Sequence, residues 1–558
     1  MLYNLRQSLI VESENRSRLY TAEWRYFMKR ASGVLLPVSS LPSKYGIGCF
    51  SKEAYKFIDW LKEAKQTYWQ ILPMGPTSIG DSPYQGPSTF AGNPYFISLE
   101  DLVKEGVLKK KECDACDFIG HPQYVEYGKL YNERYTLLHK AYKRSNIGEN
   151  KDFQEFCQKN AFWLDDYALF MAVKKCFEGK QWSEWAEDIR KRWGYSLDYY
   201  RGTYAEEIEF QKYMQFKFTE QWTKLKKYAN DNGIKIIGDI PIYVAFDSAD
   251  AWANPHLFQF DEENKPYAVA GCPPDAFSET GQLWGNPLYR WDVHKQTGYD
   301  WWVKRLEHCY EMYDVVRIDH FRAFDEYYSI PAKDTTAMNG KWIAGPGMDL
   351  FRTIENRLGK KDVIAEDLGL ITETVKELVK ESGFPNMKVL EFAFVPGQET
   401  GYLPHEYDRN CVVYTGTHDN DTLMSWFKGL DKPTKKYIRE YINDKTTKDD
   451  EMNWVFIRLA MMSCANICII PMQDYLGLGN EARLNFPSTL GSNWKWRLAG
   501  NELTKKLAKN IMKLTEISYR APNVKKEDVK EKEADVKAAA EVSEVEKLSE
   551  SAEKSEEK

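Results

Sequence analysis

The sequence predicts an α/β fold, a (β/α)8 TIM barrel with long helical and irregular insertions above the C-terminal face of its strands. Short, nearly continuous apolar runs recur eight times along the chain, and such runs are typical of parallel strands buried on both faces. Amphipathic stretches with helical spacing separate most of these runs. Each run ends in polar residues or in a turn that contains glycine. Alternation of eight strands with helices predicts closure into a barrel.

The eight predicted strands are short and spread over most of the chain. In order, they are GVLLPVSS (33–40), YWQILPMGP (68–76), IKIIGDIPI (234–242), YDVVRIDH (313–320), DVIAEDLG (362–369), MKVLEFAF (387–394), CVVYTGTHD (411–419) and NICIIPMQD (466–474). Helices between the strands are predicted from stretches such as SKEAYKFIDWLKEAK and TETVKELVKES.

Two connections are too long for ordinary crossovers, and long loops of a barrel usually lie over its C-terminal face. One is a mostly helical insertion at about 97–205, and the other, at about 245–300, is rich in Gly, Pro and Trp and is predicted to form a lid. The barrel itself is predicted over 31–520, after an N-terminal extension at 1–30. The Lys- and Glu-rich stretch 524–558 lacks aromatic residues, Gly and Pro, which predicts a charged, disordered tail.

Composition excludes several classes of function. A formal net charge of −7 argues against nucleic acid as a partner, because phosphate binding needs a basic surface. No apolar run approaches the roughly 20 residues of a membrane span, and the N-terminus is a poor secretory signal. The ten cysteines show no zinc-site spacing. We therefore expect a soluble, cytoplasmic protein that holds no metal.

The fourth predicted strand, VRIDHF, carries charged residues at its end. Alternation along a strand turns Arg317 and Asp319 toward the barrel axis and leaves Val316 and Ile318 to pack on the helices. An adjacent arginine favours the charged form of a carboxylate, as a nucleophile requires. The pair is either a structural ion pair that closes the barrel or part of a reactive site. The alternation does not decide the direction of His320.

Other predicted strands also end in acidic residues. Glu366 and Asp367 follow the apolar residues 363–365 of the fifth strand, Asp419 follows residues 412–414 of the seventh within THDND, and Asp239 lies in the third. Four barrel strands with carboxylates at one end need a shared cause. Glycosidic-bond chemistry supplies one, because it uses a nucleophilic carboxylate and a protonated acid side by side. The strand pattern alone does not separate Glu366 from Asp367.

Several of these motifs resemble a known family. RIDH, AEDLG and THDND resemble three segments of the α-amylase clan, and GDIPIYV resembles a fourth without its usual Asn-His pair. The longer stretches DSPYQGPSTFAGNPY (81–95), GCPPDAFSETGQLWGNPLY (271–289) and NEARLNFPSTLGSNWKWRL (480–498) resemble the 4-α-glucanotransferases, also called amylomaltases or disproportionating enzymes, of glycoside hydrolase family 77. The likeness extends over about 31–520.

The resemblance implies roles for individual residues. Asp319 matches the nucleophile, Glu366 the general acid/base, and Asp419 the third carboxylate, which holds the reacting sugar. The positions that match substrate-binding residues are Tyr84, which stacks on that sugar, Arg317, His418 and Asp239 around it, Asp275 and Trp284 in an acceptor-side lid loop, and Asn485 and Pro487 at the cleft border. The alternatives are that Tyr84 is a buried core residue, although the neighbouring Pro83, Gly86 and Pro87 favour a loop, and that His418 is a structural histidine.

The implied reaction is transfer of an α-1,4-glucan segment to the 4-hydroxyl of a glucan or glucose acceptor by a retaining double displacement. Retention requires that the two reacting carboxyl groups lie roughly 5–5.5 Å apart, and the acid/base needs a raised pKa. No cofactor is expected. One alternative is a hydrolase of the same clan, in which water replaces the acceptor. Another is a non-catalytic, glucan-binding barrel, which the retained Asp319, Glu366 and Asp419 disfavour.

Overall fold

The strands of the computed structural model lie at the positions that the apolar runs predict. The structure describes residues 28–78, 80–274 and 278–522. In these ranges the strands are, in chain order, β1 (Ala31–Leu35), β2 (Tyr68–Gln70), β3 (Lys235–Pro241), β4 (Ala268–Cys272), β5 (Gln282–Pro287), β6 (Val315–Asp319), β7 (Glu326–Pro331), β8 (Lys341–Ala344), β9 (Val363–Ala365), β10 (Asn386–Val389), β11 (Cys411–Tyr414) and β12 (Ile467–Pro471).

Eight of these strands form a closed parallel barrel. Its order is β1-β12-β11-β10-β9-β6-β3-β2, and each of the eight predicted runs contains or overlaps one of these strands. Closure is made by β1 and β12, where Ala31 pairs with Ile467. Gly238 in β3 is required by packing, since a Cβ there would lie 2.2 Å from the Tyr313 ring. The predicted (β/α)8 barrel is confirmed.

Helices surround the barrel and fill its longer connections. Those of the described ranges are α1 (Lys52–Glu63), α2 (Leu99–Lys104), α3 (Lys110–Asp114), α4 (Tyr127–Ser145), α5 (Lys151–Lys159), α6 (Ala161–Cys176), α7 (Glu187–Arg190), α8 (Gly194–Thr203), α9 (Ala205–Asp231), α10 (Ala249–Ala253), α11 (Trp291–Gln296), α12 (Asp300–Met312), α13 (Met348–Leu358), α14 (Glu373–Ser382), α15 (Leu423–Gly429), α16 (Lys432–Tyr441), α17 (Met452–Met462), α18 (Met472–Leu476) and α19 (Lys505–Ile517). Helices α2 to α8 lie within the predicted insertion at 97–205.

The region predicted to be a lid is more regular than its Gly- and Pro-rich composition suggests. Strands β4 and β5 pair with β7 and β8 in a separate four-stranded antiparallel sheet, in the order β5-β4-β7-β8. Trp284, expected in a flexible loop, lies within β5. That expectation was wrong because the antiparallel partner of β5, strand β4, is ten or more residues away along the chain, so local composition does not reveal it.

Two arginines fasten the start of the barrel to its end. Arg520 is fully buried and donates hydrogen bonds to the carbonyl groups of Ala31 and Asn466, at 2.9 and 3.0 Å, and to others at the end of α17. Arg30 donates to Ser463 and Ala465 in the same place. A helix C-terminus leaves its last carbonyls unpaired and partly negative, so guanidinium groups stabilise it.

The predicted terminal segments lie almost entirely outside the described residues, which begin at 28 and end at 522. In the described ranges, the helices are all too short or too polar to cross a membrane.

Candidate active site

Arg317 connects two carboxylates at the mouth of the barrel. Its guanidinium lies 2.6 Å from the carboxylate of Asp239, which belongs to the neighbouring strand β3, and 3.0 Å from that of Asp319, which belongs to its own strand β6. Asp239 is completely buried, whereas the Asp319 side chain is 29% exposed. The Asp319 side chain is therefore accessible from solution, whereas Asp239 contacts Arg317 and Tyr84 without being exposed. The arginine of the VRIDHF motif therefore makes a buried ion pair with Asp239 and a second pair with the accessible carboxylate of Asp319.

Glu366 is held by backbone N–H groups next to Asp319. It follows β9 and continues the strand pairing, since its own N–H donates to the Ile318 carbonyl at 3.1 Å. Its carboxylate accepts the N–H of His320 at 2.6 Å and that of Leu368 at 2.8 Å. Asp367 faces away and accepts from Met387 and Asn386 at the start of β10. The structure thus separates two carboxylates that the strand pattern left equivalent.

His320 ends the strand and turns the chain. Its φ of 57° lies in the left-handed region, which is uncommon for a residue with a side chain. This turn aims its N–H at Glu366 and carries its ring to Trp284 of β5, with ring centroids 4.9 Å apart in an edge contact. The alternation rule could not give this direction because the strand ends at Asp319.

Asp419 lies in a polar pocket after β11. Its carboxylate contacts the His418 ring at 3.3 Å and accepts the Asn485 side-chain amide at 2.6 Å. Its side chain is 44% exposed, while that of His418 is 2% exposed. The Arg483 guanidinium donates to the backbone carbonyl of Asp419 at 2.8 Å. Two side chains therefore orient this carboxylate, Arg483 holds the backbone of the same residue, and the carboxylate remains accessible from solution.

Tyr84 joins the two halves of the site. Its hydroxyl donates to Asp239 at 2.9 Å, and its ring stacks on that of His418 with centroids 5.2 Å apart and an interplanar angle of 15°. The loop that carries it also contacts the lid region, because Gln85 donates to Asn286 at 3.1 Å. Tyr84 is thus partly exposed at the mouth and is not a core residue.

The electrostatics of the three carboxyl groups differ. Burial, followed by the nearby Asp319, raises the pKa of Glu366 to about 7. Burial also raises the pKa of Asp319 to about 6, although Arg317 opposes the shift. Burial opposes ionisation of Asp419 too, but the His418 ring and the Asn485 amide hold the pKa of Asp419 well below its usual range. The last proton of the group is therefore retained by Glu366.

The remaining predicted site residues differ in their placement. Asn485 contacts Asp419, as described, and Pro487 lies exposed two residues further on. Asp275 lies outside the described residues.

Sequence reasoning missed Glu391 and Asp474, which are buried carboxyl residues after β10 and β12. The available signal was that both follow predicted strands, as Glu366 does. No cluster of metal-binding side chains occurs among the residues that the structure describes.

A closed (β/α)8 barrel with accessible and buried carboxyl groups gathered at its mouth defines an enzyme of glycosidic-bond chemistry. The sequence profile of the 4-α-glucanotransferases, glycoside hydrolase family 77, matches residues 36–504. The chain belongs to this family, and it is an enzyme of α-glucan transglycosylation.

The sequence of this chain aligns with known 4-α-glucanotransferases over nearly their whole length. The chain is 48% identical to the 4-α-glucanotransferase of Clostridium butyricum, over 87% of this chain and 99% of the relative. It is 47% identical to that of Streptococcus pneumoniae, over 90% and 99%. Among solved structures, the amylomaltase of Streptococcus agalactiae in complex with acarbose is 40% identical, covers 88% of this chain and all of its own, and superposes with a TM-score of 0.86.

Proposed function

We propose that this enzyme transfers α-1,4-glucan segments by a retaining double displacement in which Asp319 is the nucleophile, Glu366 the general acid/base and Asp419 the carboxylate that holds the reacting sugar. The donor is a maltooligosaccharide or a longer α-1,4-glucan, and the acceptor is glucose or another glucan. One observation carries the proposal: Glu366 accepts a hydrogen bond from the N–H of His320, the residue that directly follows Asp319. Of these two neighbouring carboxyl groups, Glu366 has the higher pKa.

In the first step, a carboxylate oxygen of Asp319 attacks the anomeric carbon while the glycosidic C–O bond breaks. Glu366 gives its proton to the departing oxygen, so the shortened glucan leaves with a free 4-hydroxyl. Arg317 lies 3.0 Å from Asp319 and favours its charged form before attack. The new ester on Asp319 is neutral, and the negative charge passes to Glu366, which becomes a carboxylate when it loses its proton.

In the second step, Glu366 is a carboxylate and removes the proton from the 4-hydroxyl of an acceptor. The acceptor oxygen attacks the anomeric carbon and displaces Asp319, which restores an α-1,4 bond. Throughout both steps Asp419 stays ionised, because His418 and Asn485 hold its pKa low. It can therefore bind sugar hydroxyl groups and stabilise positive charge on the ring.

Two further groups complete the proposed site. Tyr84 stacks on the sugar next to the reacting bond, and His418, Arg317, Asn485 and Pro487 border the same subsites. Trp284 and Asp275 act on the acceptor side, where a closed lid favours a sugar over water. The edge contact of Trp284 with His320 supports this placement, since it brings the lid sheet to the residue after the nucleophile. A cytoplasmic location stays a prediction.

The test uses a donor that needs no acid. Glu366→Gln, given α-maltosyl fluoride, should accumulate a maltosyl-enzyme ester on Asp319, because fluoride leaves unaided and the acceptor is no longer deprotonated. Intact mass spectrometry would show the added maltosyl unit, and a peptide map would place it. Asp319→Asn is the control and should stay unmodified. A stable Glu366→Gln protein without an adduct, or an adduct on another residue, contradicts the assignment.

Transfer is tested separately from cleavage. Wild-type enzyme incubated with maltotriose should give oligomers longer than the substrate together with free glucose. Release of glucose with no longer product would instead indicate the hydrolase.

A further inference from the structure

A buried carboxyl group that the proposed mechanism does not use lies next to the Thr417–Asn420 turn, which carries Asp419. Glu391 follows β10 and is 9% exposed, and its Oε1 makes no hydrogen bond to any described residue. Its backbone N–H donates to the Thr415 carbonyl at 3.2 Å, so its position is fixed relative to the end of β11. A buried carboxyl without a full set of partners is costly and calls for a physical explanation.

The Glu391 side chain packs against the segment that presents Asp419. A Cβ built on Gly416 would lie 2.7 Å from Oε1 of Glu391 and 3.3 Å from Cβ of Asn420. Asn420 in turn organises the turn, because its side-chain carbonyl accepts the N–H and the hydroxyl of Thr417 at 2.9 and 2.7 Å. The Thr417 hydroxyl then accepts the N–H of Asp419 at 3.3 Å. Glu391 therefore lies against Gly416 and Asn420, and the hydrogen bonds of Asn420 and Thr417 extend from there to the backbone N–H of Asp419.

The surroundings of Glu391 favour an uncharged acid. The groups that act on it are the carboxylates of Asp474 and Asp421, the guanidinium of Arg483 and the amide of Asn420. Arg483 already donates to the carbonyl oxygens of Asp419 and Asn485. Burial, with the two carboxylates adding to it, raises the pKa of Glu391 well above its usual range. A neutral Glu391 can lie close to Gly416 without adding a negative charge beside Asp419.

We propose that Glu391 is a positioning residue for the transfer reaction: it supports, through Gly416 and Asn420, the Thr417–Asn420 turn that holds His418 and Asp419 in place. The inference rests on the role proposed above for Asp419. Glu391 acts through shape and as a neutral acid, and it touches neither the substrate nor the reacting atoms. Displacing a binding group by about 1 Å can cost about 100-fold in rate, so support of this kind is kinetically important.

The experiment compares Glu391→Gln, Glu391→Ala and Asp419→Asn in maltotriose disproportionation. Gln has the shape of the neutral acid, so Glu391→Gln should keep kcat within about threefold of wild type. Its pH profile should superimpose on that of wild type, because no charge is removed. Glu391→Ala should lower kcat by about 10- to 100-fold while KM changes by less than about threefold. The midpoint of thermal unfolding, measured for each variant, shows whether a loss of activity is caused only by unfolding.

Gly416→Ala gives a second approach if Glu391→Ala does not fold, because the added methyl group presses on the same carboxyl from the side of the turn. It should also lower kcat more than it raises KM. Wild-type kcat in Glu391→Ala or in Gly416→Ala would overturn the inference. So would a Glu391→Gln protein that is folded but as inactive as Glu391→Ala, since a charge would then be needed. Activity in Asp419→Asn would overturn the proposed function itself.

Discussion

The Glu366 carboxylate accepts the backbone N–H of His320 at 2.6 Å, and His320 directly follows Asp319. The proposed proton donor is thus tied to the main chain beside the proposed nucleophile. The left-handed φ of 57° at His320 makes this contact possible. The Glu366 carboxylate is thus held next to the backbone at the end of β6, and we expect the carboxyl groups of Asp319 and Glu366 to lie roughly 5–5.5 Å apart, as retention requires.

The first prediction concerns pH. Asp319 must be ionised and has a pKa of about 6, while Glu366 must be protonated and has a pKa of about 7. As pH falls below about 6 the nucleophile gains a proton, and as pH rises above about 7 the acid loses one. A plot of kcat/KM for maltotriose against pH should therefore be bell-shaped, with its maximum between the two pKa values. A maximum above pH 9 would contradict the protonation states assigned here.

The second prediction concerns the buried ion pair. Arg317→Met should lower the free energy of unfolding by about 3–5 kcal/mol, because Asp239 is completely buried and would lose its cation. Urea denaturation measures the change. The double variant with Asp239→Asn should recover part of the stability but none of the activity, since Arg317 also pairs with Asp319. Unchanged stability in Arg317→Met would show that Asp239 is compensated in another way.

The third prediction separates the ring of Tyr84 from its hydroxyl. Tyr84→Phe keeps the stack on His418 but loses the 2.9 Å hydrogen bond to Asp239. Without this bond the ring is no longer held in place, and misplacement of a binding group by about 1 Å can cost about 100-fold in rate, so kcat/KM should fall about tenfold or more. Tyr84→Ala should fall further, because it also removes the aromatic face. Equal losses in the two variants would mean that the ring contributes nothing to sugar binding.

The fourth prediction concerns stability outside the site. His294 of α11 is fully buried against Tyr289 and Trp291, and neither ring nitrogen makes a well-formed hydrogen bond to the described residues. Burial lowers its pKa to about 4. His294→Phe keeps a ring and removes the unpaired polar atoms, so the free energy of unfolding should rise by about 1–3 kcal/mol.

The sign of the pH effect at His294 follows from its depressed pKa. The unfolded chain takes up a proton near pH 6.5, whereas the folded protein resists it down to about 4. The neutral form therefore stabilises the fold above pH 6.5, and that contribution is lost as pH falls toward 4. The advantage of His294→Phe should grow between pH 7 and pH 5, by at most about 1.4 kcal/mol for each pH unit. A constant difference in thermal midpoint would contradict this account.

The sequence predicted the barrel well because apolar runs are a local property. Each of the eight barrel strands lies within or overlaps a predicted run, although β9 ends at Ala365 and β11 at Tyr414, before the polar residues included in those runs. Glu366 and Asp419 therefore lie just after the strands that present them, whereas Asp319 is the last residue of β6. The family resemblance supplied the choice of Glu366 over Asp367. In the structure the two side chains have different partners, since Glu366 accepts the N–H of His320 and Asp367 accepts that of Met387.

Features that depend on distant partners could not be predicted in this way. The lid sheet needs the pairing of β4 with β7, and Ala268 and Pro331 are far apart in the chain. The direction of His320 depends on a left-handed turn that alternation does not describe. Asp239 looked like a possible sugar contact, but its complete burial follows from Arg317 and Tyr84, which lie elsewhere in the sequence.

The clamp made by Arg30 and Arg520 has a practical consequence. The two arginines lie beside the starts of β1 and β12. Asp319, Glu366 and Asp419 lie at the opposite end of the barrel, where the strands finish. An enzyme attached to a solid support through a residue beside either arginine would therefore present its mouth to the solution. Even a glucan too large to diffuse into a porous bead would have access to the immobilised catalyst at the bead surface.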